Sequence, residues 1–356
     1  MQEGILTLED RERWIKYLGM LPEGKQDVYL GPDYYALYQT PEKRVECFFA
    51  EEGGKVFLYP YLKTHINRAV DFELDGDFYD IEGAYGYNGF AVSDDDADFS
   101  RRCAGIFAQY CSRERIVAEF MRLNPLWPMP GAESWWDLKP AKKNVYVDLT
   151  LSPEDLWMDS YEHCVRKNVN KARQMGVEIR SYEGRDMDES LLGEFLNIYH
   201  HTMERNNSGA DYFFSQDYFR KVCSLLPRQS LFFFAYLNGQ PVSCELVLIS
   251  KKNAYSFLGG TLQQAQASRP NNLLKHELIL HLQSLHLERY LLGGGKSEND
   301  GIFGYKKTFS KKGVLDFSIA CKVCDHNAYE EICRLWREKF PSKQAEYANY
   351  FLKYRC

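Results

Sequence analysis

The sequence YLLGGGKSENDGIFGYKKTF at residues 290–309 decides our interpretation of the fold. Three glycines follow an apolar run that is typical of a short strand, and two lysines follow among aromatic side chains. Glycines let backbone N–H groups approach an anionic or carbonyl-bearing ligand. Lysines placed there bind a phosphate or stabilise a developing oxyanion. A glycine turn beside an exposed charge pair explains the same residues, and composition alone does not decide between the two interpretations.

The sequence before this stretch predicts an antiparallel meander. Apolar runs at 230–236 and 241–249 flank Asn238-Gly239, which is the strongest short hairpin signal in the chain, and a third strand is predicted at 254–258. Helices are predicted at 161–174, 190–204, 217–226 and 272–286, and further strands at 144–149, 177–182, 290–292 and 314–320. The second half therefore predicts a mixed α/β fold.

The first half of the chain predicts a similar mixture. Strands at 45–50 and 55–59 flank a glycine turn, and a helix at 97–112 precedes a strand at 116–120. Residues 124–143 are rich in proline and tryptophan and show no period, so we interpret them as a linker. Since 356 residues exceed the usual size of a single core, we expect two domains that meet there.

Composition limits the class of protein. The formal charge of -6 argues against broad attraction to nucleic acid or anionic membrane. No run approaches the about 20 apolar residues that a membrane span needs, and the first residues lack a secretory signal pattern. The ten cysteines are scattered, as expected for buried thiols in a reducing compartment. We therefore expect a cytoplasmic protein without a membrane span.

The sequence predicts no metal site. His276 and His281 are five residues apart, about 140° around a helix, which keeps them from sharing a metal. Cys321 and Cys324 form a close pair, but two further ligands at suitable spacing do not follow. We interpret these cysteines as ordinary strand residues.

Several motifs occur together in one order. They are RKNVNKAR at 166–173, GQPVSCE at 239–245, YSFLGG at 255–260, RPNNLLKHE at 269–277, LGGG at 292–295 and GYKKTF at 304–309. In this order they resemble the FemAB family of the acetyltransferase-like (GNAT) superfamily, and DIEGAYGYNG at 80–89 resembles that family's tyrosine-glycine patch. The resemblance implies two tandem GNAT-like domains, each with a mostly antiparallel central sheet flanked by helices. They would span 1–142 and 143–320, with 321–356 packing back on the first.

The resemblance also implies site residues. Lys306, in the aromatic-lysine-lysine motif, stabilises the developing negative charge, and Arg205 meets substrate phosphate. The catalytic set is completed by Tyr305, Glu245 and Asp300, and the substrate-binding set by Tyr255, Arg166, Tyr85, Asn88, Gly294, Gly295 and Lys307. Glu245 or Asp300 serves as the general base, or the acceptor amine loses its proton to water. A structural role is the alternative for each of the two carboxylates. Arg205 as a surface residue and Tyr255 as a core residue are alternatives too.

Members of the family attach amino acids from aminoacyl-tRNA to peptidoglycan precursors, and relatives acylate amines of sugars or other metabolites. Residues 264–272, QAQASRPNN, lack the glycines of the usual coenzyme A phosphate loop, which favours aminoacyl-tRNA over acyl-CoA as the donor substrate. We expect no tightly bound cofactor and a cell-envelope precursor or surface sugar as acceptor. A CoA-dependent N-acyltransferase and a non-catalytic module that binds a nucleotide-linked precursor are the alternatives. The oligomeric state does not follow from the sequence.

Overall fold

The computed structural model describes residues 1–295, 297 and 300–356. The chain divides into two compact units. Unit 1 consists of Met1–Ala141 and Phe317–Cys356, and unit 2 of Lys142–Asp316. Each unit holds a mostly antiparallel sheet with helices, so the predicted mixed α/β class is confirmed.

The first part of unit 1 alternates strands and helices. Its strands are β1 (Gln2–Leu6), β2 (Lys43–Glu52), β3 (Lys55–His65), β4 (Tyr79–Glu82), β5 (Ala91–Val92) and β6 (Ile116–Arg122). Its helices are α1 (Arg11–Gly19), α2 (Pro32–Ala36), α3 (Ile66–Ala69), α4 (Ala97–Arg113) and α5 (Ala132–Trp135).

Unit 2 begins within β7 (Asp137–Asp148). Its further strands are β8 (Glu178–Glu183), β9 (Ser230–Leu237), β10 (Gln240–Ile249), β11 (Asn253–Thr261) and β12 (Arg289–Gly293). Its helices are α6 (Pro153–Asp155), α7 (His163–Gln174), α8 (Glu189–Arg205), α9 (Gln216–Leu225), α10 (Pro270–Ser284) and α11 (Gly301–Lys307). The chain then returns to unit 1 through β13 (Val314–Val323) and α12 (His326–Lys339).

The two units repeat one order of strands. In unit 1, β1 to β4 pair antiparallel in sequence, β6 pairs parallel with β4, and β13 pairs antiparallel with β6. In unit 2, β8 to β11 pair antiparallel in sequence, β12 pairs parallel with β11, and β7 pairs antiparallel with β12. A long helix, α4 or α10, precedes the parallel strand in each case.

Local sequence explains the hairpin between β9 and β10. Asn238 and Gly239 adopt positive φ angles of 52° and 76°, as a two-residue hairpin turn requires, and Leu237 faces Gln240 across it. The predicted hairpin is confirmed.

The predicted linker at 124–143 is wrong. This segment contains α5 and the start of β7, and Trp127, Trp135 and Trp136 are buried in unit 1. The indole of Trp127 donates to the Phe90 carbonyl oxygen at 3.2 Å, so the aromatic side chains serve the core. A stretch without helical or strand period looked like a linker because its order comes from tertiary packing.

None of the helices in the described part of the chain has the length and apolar content that crossing a lipid bilayer would require.

Candidate active site

The separation of β11 from β12 creates an opening in unit 2. The two strands pair in parallel only from Asn253 to Tyr255 opposite Arg289 to Leu291. β11 then continues to Thr261 beside β10, while β12 ends at Gly293. Residues of β11 beyond Tyr255 therefore border an open space on the side where β12 has diverged.

Gly260 brings helix α8 close to β11. A Cβ atom at Gly260 would lie 2.8 Å from the carbonyl oxygen of Ile198 in α8, so only glycine fits this approach. Because α8 lies so close, Thr202 Oγ1 accepts from the Thr261 N–H at 3.0 Å. Arg205, at the end of α8, donates through Nη1 to the Thr261 carbonyl oxygen at 2.7 Å.

The opening forms a pocket of about 470 Å³. The residues around it come from α7, α8, β10, β11, α10 and α11. Polar and charged side chains among them are Asn168, Thr202, Arg205, Ser243, Glu245, Ser256, Thr261, Gln266, Arg269, Asn271, Asn272, Lys275, Tyr305 and Lys306. The structure thus brings together four of the predicted site residues, namely Lys306, Tyr305, Glu245 and Arg205.

Helix α11 presents Lys306 to this pocket. Lys306 Nζ donates to the carbonyl oxygen of Gly294 at 2.7 Å. Burial, opposed by Glu245 and Asp300 and reinforced by the nearby charge of Lys275, lowers the pKa of Lys306 to about 8. An ammonium group has three donors, so a group that is held by one carbonyl is able to donate to a second oxygen in the pocket.

Asp300 begins α11 instead of lining the pocket. Its carboxylate accepts from the Phe303 N–H at 2.8 Å and from the Ser297 N–H at 3.0 Å, which is the geometry of a helix N-cap. The side chain therefore holds the helix that carries Lys306, and this geometry favours the structural alternative for Asp300.

Tyr305 is also turned inward. Its hydroxyl donates to the Asn271 carbonyl oxygen at 3.3 Å, and its ring packs edge-on against Phe309 at 5.4 Å between centroids. Burial raises the pKa of Tyr305 well above its usual range. The phenol therefore stays neutral and links α11 to the start of α10.

Glu245 is the centre of a buried polar network. Its Oε1 accepts from Lys275 Nζ, from the Tyr290 hydroxyl and, at 2.7 Å, from Ser256 Oγ. Lys275 also donates to the Tyr290 hydroxyl at 3.0 Å, and burial lowers the pKa of Lys275. A carboxylate oxygen that holds three donors is poorly placed to remove a proton from a substrate, which again favours the structural alternative.

The start of α10 contributes further polar groups. Arg269 adopts a left-handed backbone conformation, with φ of 57°, directly before Pro270 begins the helix. Asn271 and Asn272, in the first turn, line the pocket with Arg269. The positive end of a helix of this length and a guanidinium both favour a negatively charged group there.

Other predicted substrate-binding residues have structural contacts in unit 2. Tyr255 is fully buried and does not line the pocket. Arg166 donates to the carbonyl oxygens of Trp157 and Tyr161 at 2.9 and 2.8 Å and so ties down the turn before its helix. Neither position supports direct contact with a ligand in this pocket.

The glycine stretch contacts the Lys306 side chain through its backbone. The Gly294 carbonyl oxygen accepts from Lys306, and a Cβ at Gly294 would lie 2.8 Å from the Lys143 carbonyl oxygen. Gly295 and Lys307 border a separate cavity of about 350 Å³. Lys296, which follows the glycines, lies outside the described residues.

Tyr85 and Asn88 lie in unit 1. Asn88 is buried, where its side chain donates to the Ala84 carbonyl oxygen at 2.8 Å and accepts from the Arg122 N–H at 3.2 Å. The Tyr85 carbonyl oxygen accepts from the Tyr34 hydroxyl. The role of both in binding substrate stays a prediction.

Sequence reasoning missed several residues of the pocket, above all Lys275, Arg269 and Asn271. All three fall within the motif RPNNLLKHE at residues 269–277. The sequence does not mark Lys275, because His276 and Glu277 follow it directly and the three together read as an ordinary polar segment of a helix.

Comparison with known proteins agrees with this geometry. The profile of the acetyltransferase (GNAT) domain family matches residues 160–307, which lie within unit 2. No curated protein matches the sequence.

Solved structures of similar fold include three with nearly full coverage. FemX has a TM-score of 0.67 at 12% identity, over 89% of this chain and 97% of its own. The C-terminal domain of a putative lysylphosphatidylglycerol synthetase from Agrobacterium fabrum has a TM-score of 0.54 at 14% identity, over 92% of this chain and 96% of its own. A tandem GNAT protein from the clavulanic acid biosynthesis pathway has a TM-score of 0.53 at 10% identity, over 91% of this chain and 98% of its own. At these low sequence identities, the TM-scores show that the fold is shared and nothing more.

The matched domain defines the class of enzyme: residues 160–307 carry an acetyltransferase (GNAT) domain, so this chain is an acyltransferase. The likeness to FemX and to a tandem GNAT protein shows that the fold, with two domains in tandem, is the one that the motifs indicated.

Proposed function

We propose that the pocket beside β11 transfers an acyl or aminoacyl group from an activated ester to the amine of a cell-envelope acceptor. The observation that carries this proposal is the position of Lys306, a half-buried cation with a pKa lowered to about 8 that faces the pocket from α11. Such a group meets the need of the reaction for a donor at the point where negative charge develops.

The reaction needs no enzyme nucleophile. The acceptor nitrogen attacks the carbonyl carbon of the donor, and the electron pair of the C=O bond moves to its oxygen. Lys306 donates a hydrogen bond to that oxyanion. The tetrahedral intermediate then collapses: the C=O bond re-forms, the C–N bond remains, and the sulfur or ribose oxygen of the donor leaves with the electron pair of its bond to carbon and takes a proton from water.

The acceptor amine loses its proton to water in this scheme. Glu245 and Asp300 hold three and two donors respectively, so we assign them to positioning: Glu245 fixes Lys275, and Asp300 fixes the helix of Lys306. Neutral Tyr305 holds α11 against α10.

We propose aminoacyl-tRNA as the donor, because residues 264–272 lack the glycines of a coenzyme A phosphate loop. Acyl-CoA is the second candidate, favoured by the first turn of α10 and Arg269 at the pocket, which suit a pyrophosphate. For the acceptor we propose an amine of a peptidoglycan precursor or surface sugar carried on a nucleotide. Arg205 is close enough to the pocket to bind its phosphate.

The test is a transfer assay with two donors and one panel of acceptors. The protein is incubated with charged tRNA or with acyl-CoA, each beside UDP-linked sugars and peptide precursors, and products are identified by mass spectrometry. The proposal expects a new amide from at least one donor. Tight binding of an acceptor without transfer from either donor would instead support a non-catalytic binding module.

A further inference from the structure

A second cluster of reactive side chains lies in unit 1, away from the residues assigned to transfer. Cys111 at the end of α4, Glu119 in β6 and Cys324 after β13 place their ligand atoms within 4.8 Å of one another. Their positions in the sequence are far apart, so no motif announces the group. The sequence paired Cys324 with Cys321 instead.

Strand register explains why Cys324 takes part and Cys321 does not. β13 pairs antiparallel with β6, and Lys322 faces Glu119 across the two strands. Since side chains alternate along a strand, Cys324 lies on the face of Lys322 and Glu119, and Cys321 on the opposite face. The Cys324 N–H donates to the Val117 carbonyl oxygen at 2.8 Å, which extends this alignment past the end of β13.

The carboxylate of Glu119 is oriented for a ligand. Glu119 is fully buried, and its Oε2 accepts from the Tyr59 hydroxyl at 3.0 Å and from the indoles of Trp136 and Trp135 at 3.0 and 3.3 Å. Three donors on one oxygen fix the carboxylate and direct its Oε1 toward the cysteines. Partners of this kind orient carboxylate ligands in metal sites.

The distances suit a tetrahedral cation. Glu119 Oε1 lies 3.4 Å from Cys324 Sγ and 3.9 Å from Cys111 Sγ. Metal–sulfur bonds of about 2.3 Å and metal–oxygen bonds of about 2.0 Å, at tetrahedral angles, separate sulfur from oxygen by about 3.5 Å. The two thiols and the carboxylate therefore come close to the separations that bound zinc requires.

A cavity supplies the fourth position. Cys111 and Cys324 line a space of about 350 Å³, and Lys322 and His326 lie along the same wall. A fourth ligand can come from water in this cavity or from His326. Lys322 Nζ lies 3.7 Å from Glu119 Oε1, so the three negative charges of two thiolates and a carboxylate are balanced by a divalent ion and this lysine.

We propose that Cys111, Glu119 and Cys324 bind one Zn²⁺ ion, with the fourth position toward the cavity. The ion joins the end of α4 to the segment between β13 and α12, and thereby ties the C-terminal part of unit 1 to its N-terminal part. The role is structural and independent of the proposed transfer reaction.

The test uses the full chain, fully reduced and stripped of metal. Zn²⁺ is titrated against a chromophoric chelator, and Co²⁺ is added separately to detect thiolate-to-metal charge transfer. We expect one Zn²⁺ per chain. Loss of a residue that hydrogen-bonds a metal ligand costs about 10–100-fold in affinity, so loss of a ligand itself in Cys111→Ser or Cys324→Ser should cost at least about 100-fold. The matched control, Cys321→Ser, should bind like the wild type.

The melting temperatures of the wild type and of these variants give a second measurement of Zn²⁺ binding. Zn²⁺ should raise the melting temperature of the wild type and of Cys321→Ser, but not that of Cys324→Ser, whose half-buried position lets the variant fold. Circular dichroism verifies the fold of each variant.

Three outcomes would overturn the proposal. The first is that the reduced wild type binds no Zn²⁺. The second is that Cys321→Ser weakens binding as much as the two ligand variants do. The third is that Cys111→Ser and Cys324→Ser bind Zn²⁺ as tightly as the wild type.

Discussion

Lys306 is a lysine whose surroundings change its chemistry. Most lysines stay exposed, but this one is half-buried beside the glycine stretch, and its Nζ donates to the Gly294 carbonyl oxygen. Burial makes the ammonium less stable relative to the neutral amine, while the hydrogen bond keeps it in place. In a pocket where a carbonyl oxygen becomes negative, such a cation stabilises the transition state more than the ground state.

Removing this cation should slow transfer without unfolding the protein. Lys306→Met should lower kcat at least about tenfold, because loss of an oxyanion donor removes stabilisation of the transition state. Turnover is measured with the donor and acceptor found in the transfer assay. Lys221→Met, which removes an exposed lysine of α9 in the same unit, is the control and should leave kcat unchanged. Unchanged turnover in Lys306→Met would exclude the proposed role.

The lowered pKa predicts how activity depends on pH. Lys306 donates as an ammonium, and the ammonium fraction falls as pH rises through its pKa of about 8. The rate at saturating substrate should therefore decrease above about pH 8, and the residual activity of Lys306→Met should lack this decrease. A lysine that only supports the glycine stretch would leave the alkaline side of the profile unchanged between the two proteins.

At this scale, sequence reasoning identified the cation but not its neighbours. Lys306 was predicted from the aromatic-lysine-lysine motif and Arg205 from its position after a helix, and both line the pocket. Lys275 and Arg269 were missed, since their importance comes from the partners that the fold brings to them. Asp300 was correctly noticed as special, but an N-cap and a catalytic carboxylate have the same sequence signal.

Among the elements, α10 is held against β10 by a buried ion pair. Lys275 of α10 and Glu245 of β10 are both less than a tenth exposed, and Tyr290 of β12 joins them. Breaking such a pair leaves one charge buried without its partner, which costs more than an intact pair contributes. This network therefore fixes the element that carries Asn271 and Asn272 to the pocket.

The double substitution of this pair should destabilise the protein by less than the sum of the two single substitutions. Glu245→Gln and Lys275→Met should each destabilise the protein by about 3–5 kcal/mol, and the double variant by clearly less than their sum. Urea unfolding measures all three. Arg173→Ala is the control, because its pair with Glu277 between α7 and α10 is exposed and should contribute at most about 1 kcal/mol. Additive effects would show that the two side chains do not depend on each other.

The elements themselves were predictable where sequence patterns are local. The hairpin turn at Asn238-Gly239 and the helix that ends before Gly176 both follow from residues in their own neighbourhood. The segment at 124–143 was misinterpreted, because Trp135 and Trp136 are ordered by Glu119 of another element. The divergence of β11 from β12, which creates the pocket, has no sequence signal of its own.

On the scale of the whole chain, unit 1 is built from both ends of the sequence. Arg355 donates to Asp80 of β4 through Nε at 3.0 Å and to Glu82 through Nη1 at 2.6 Å, and the Tyr354 hydroxyl donates to Asp80 at 2.7 Å. Asp80 is fully buried. These contacts explain why residues 317–356 belong to the same compact unit as residues 1–141.

Loss of this contact should destabilise unit 1. Arg355→Ala leaves the buried carboxylate of Asp80 without its cation, for which we expect a loss of about 3–5 kcal/mol in unfolding free energy. Arg334→Ala is the control on the same segment, since its pairs with Glu331 and Glu338 are exposed and should contribute at most about 1 kcal/mol. Tryptophan fluorescence in urea measures both. Equal effects would contradict a special role for the buried pair.

The central claim is that transfer takes place in the pocket between β11, α10 and α11. A crystal structure of the protein with the amide product of its own reaction tests this most directly. We predict that the product's carbonyl oxygen lies within about 3.2 Å of Lys306 Nζ, with its phosphate groups toward Arg205 or Arg269. A product bound elsewhere, with Lys306 still directed only at the Gly294 carbonyl oxygen, would contradict the account.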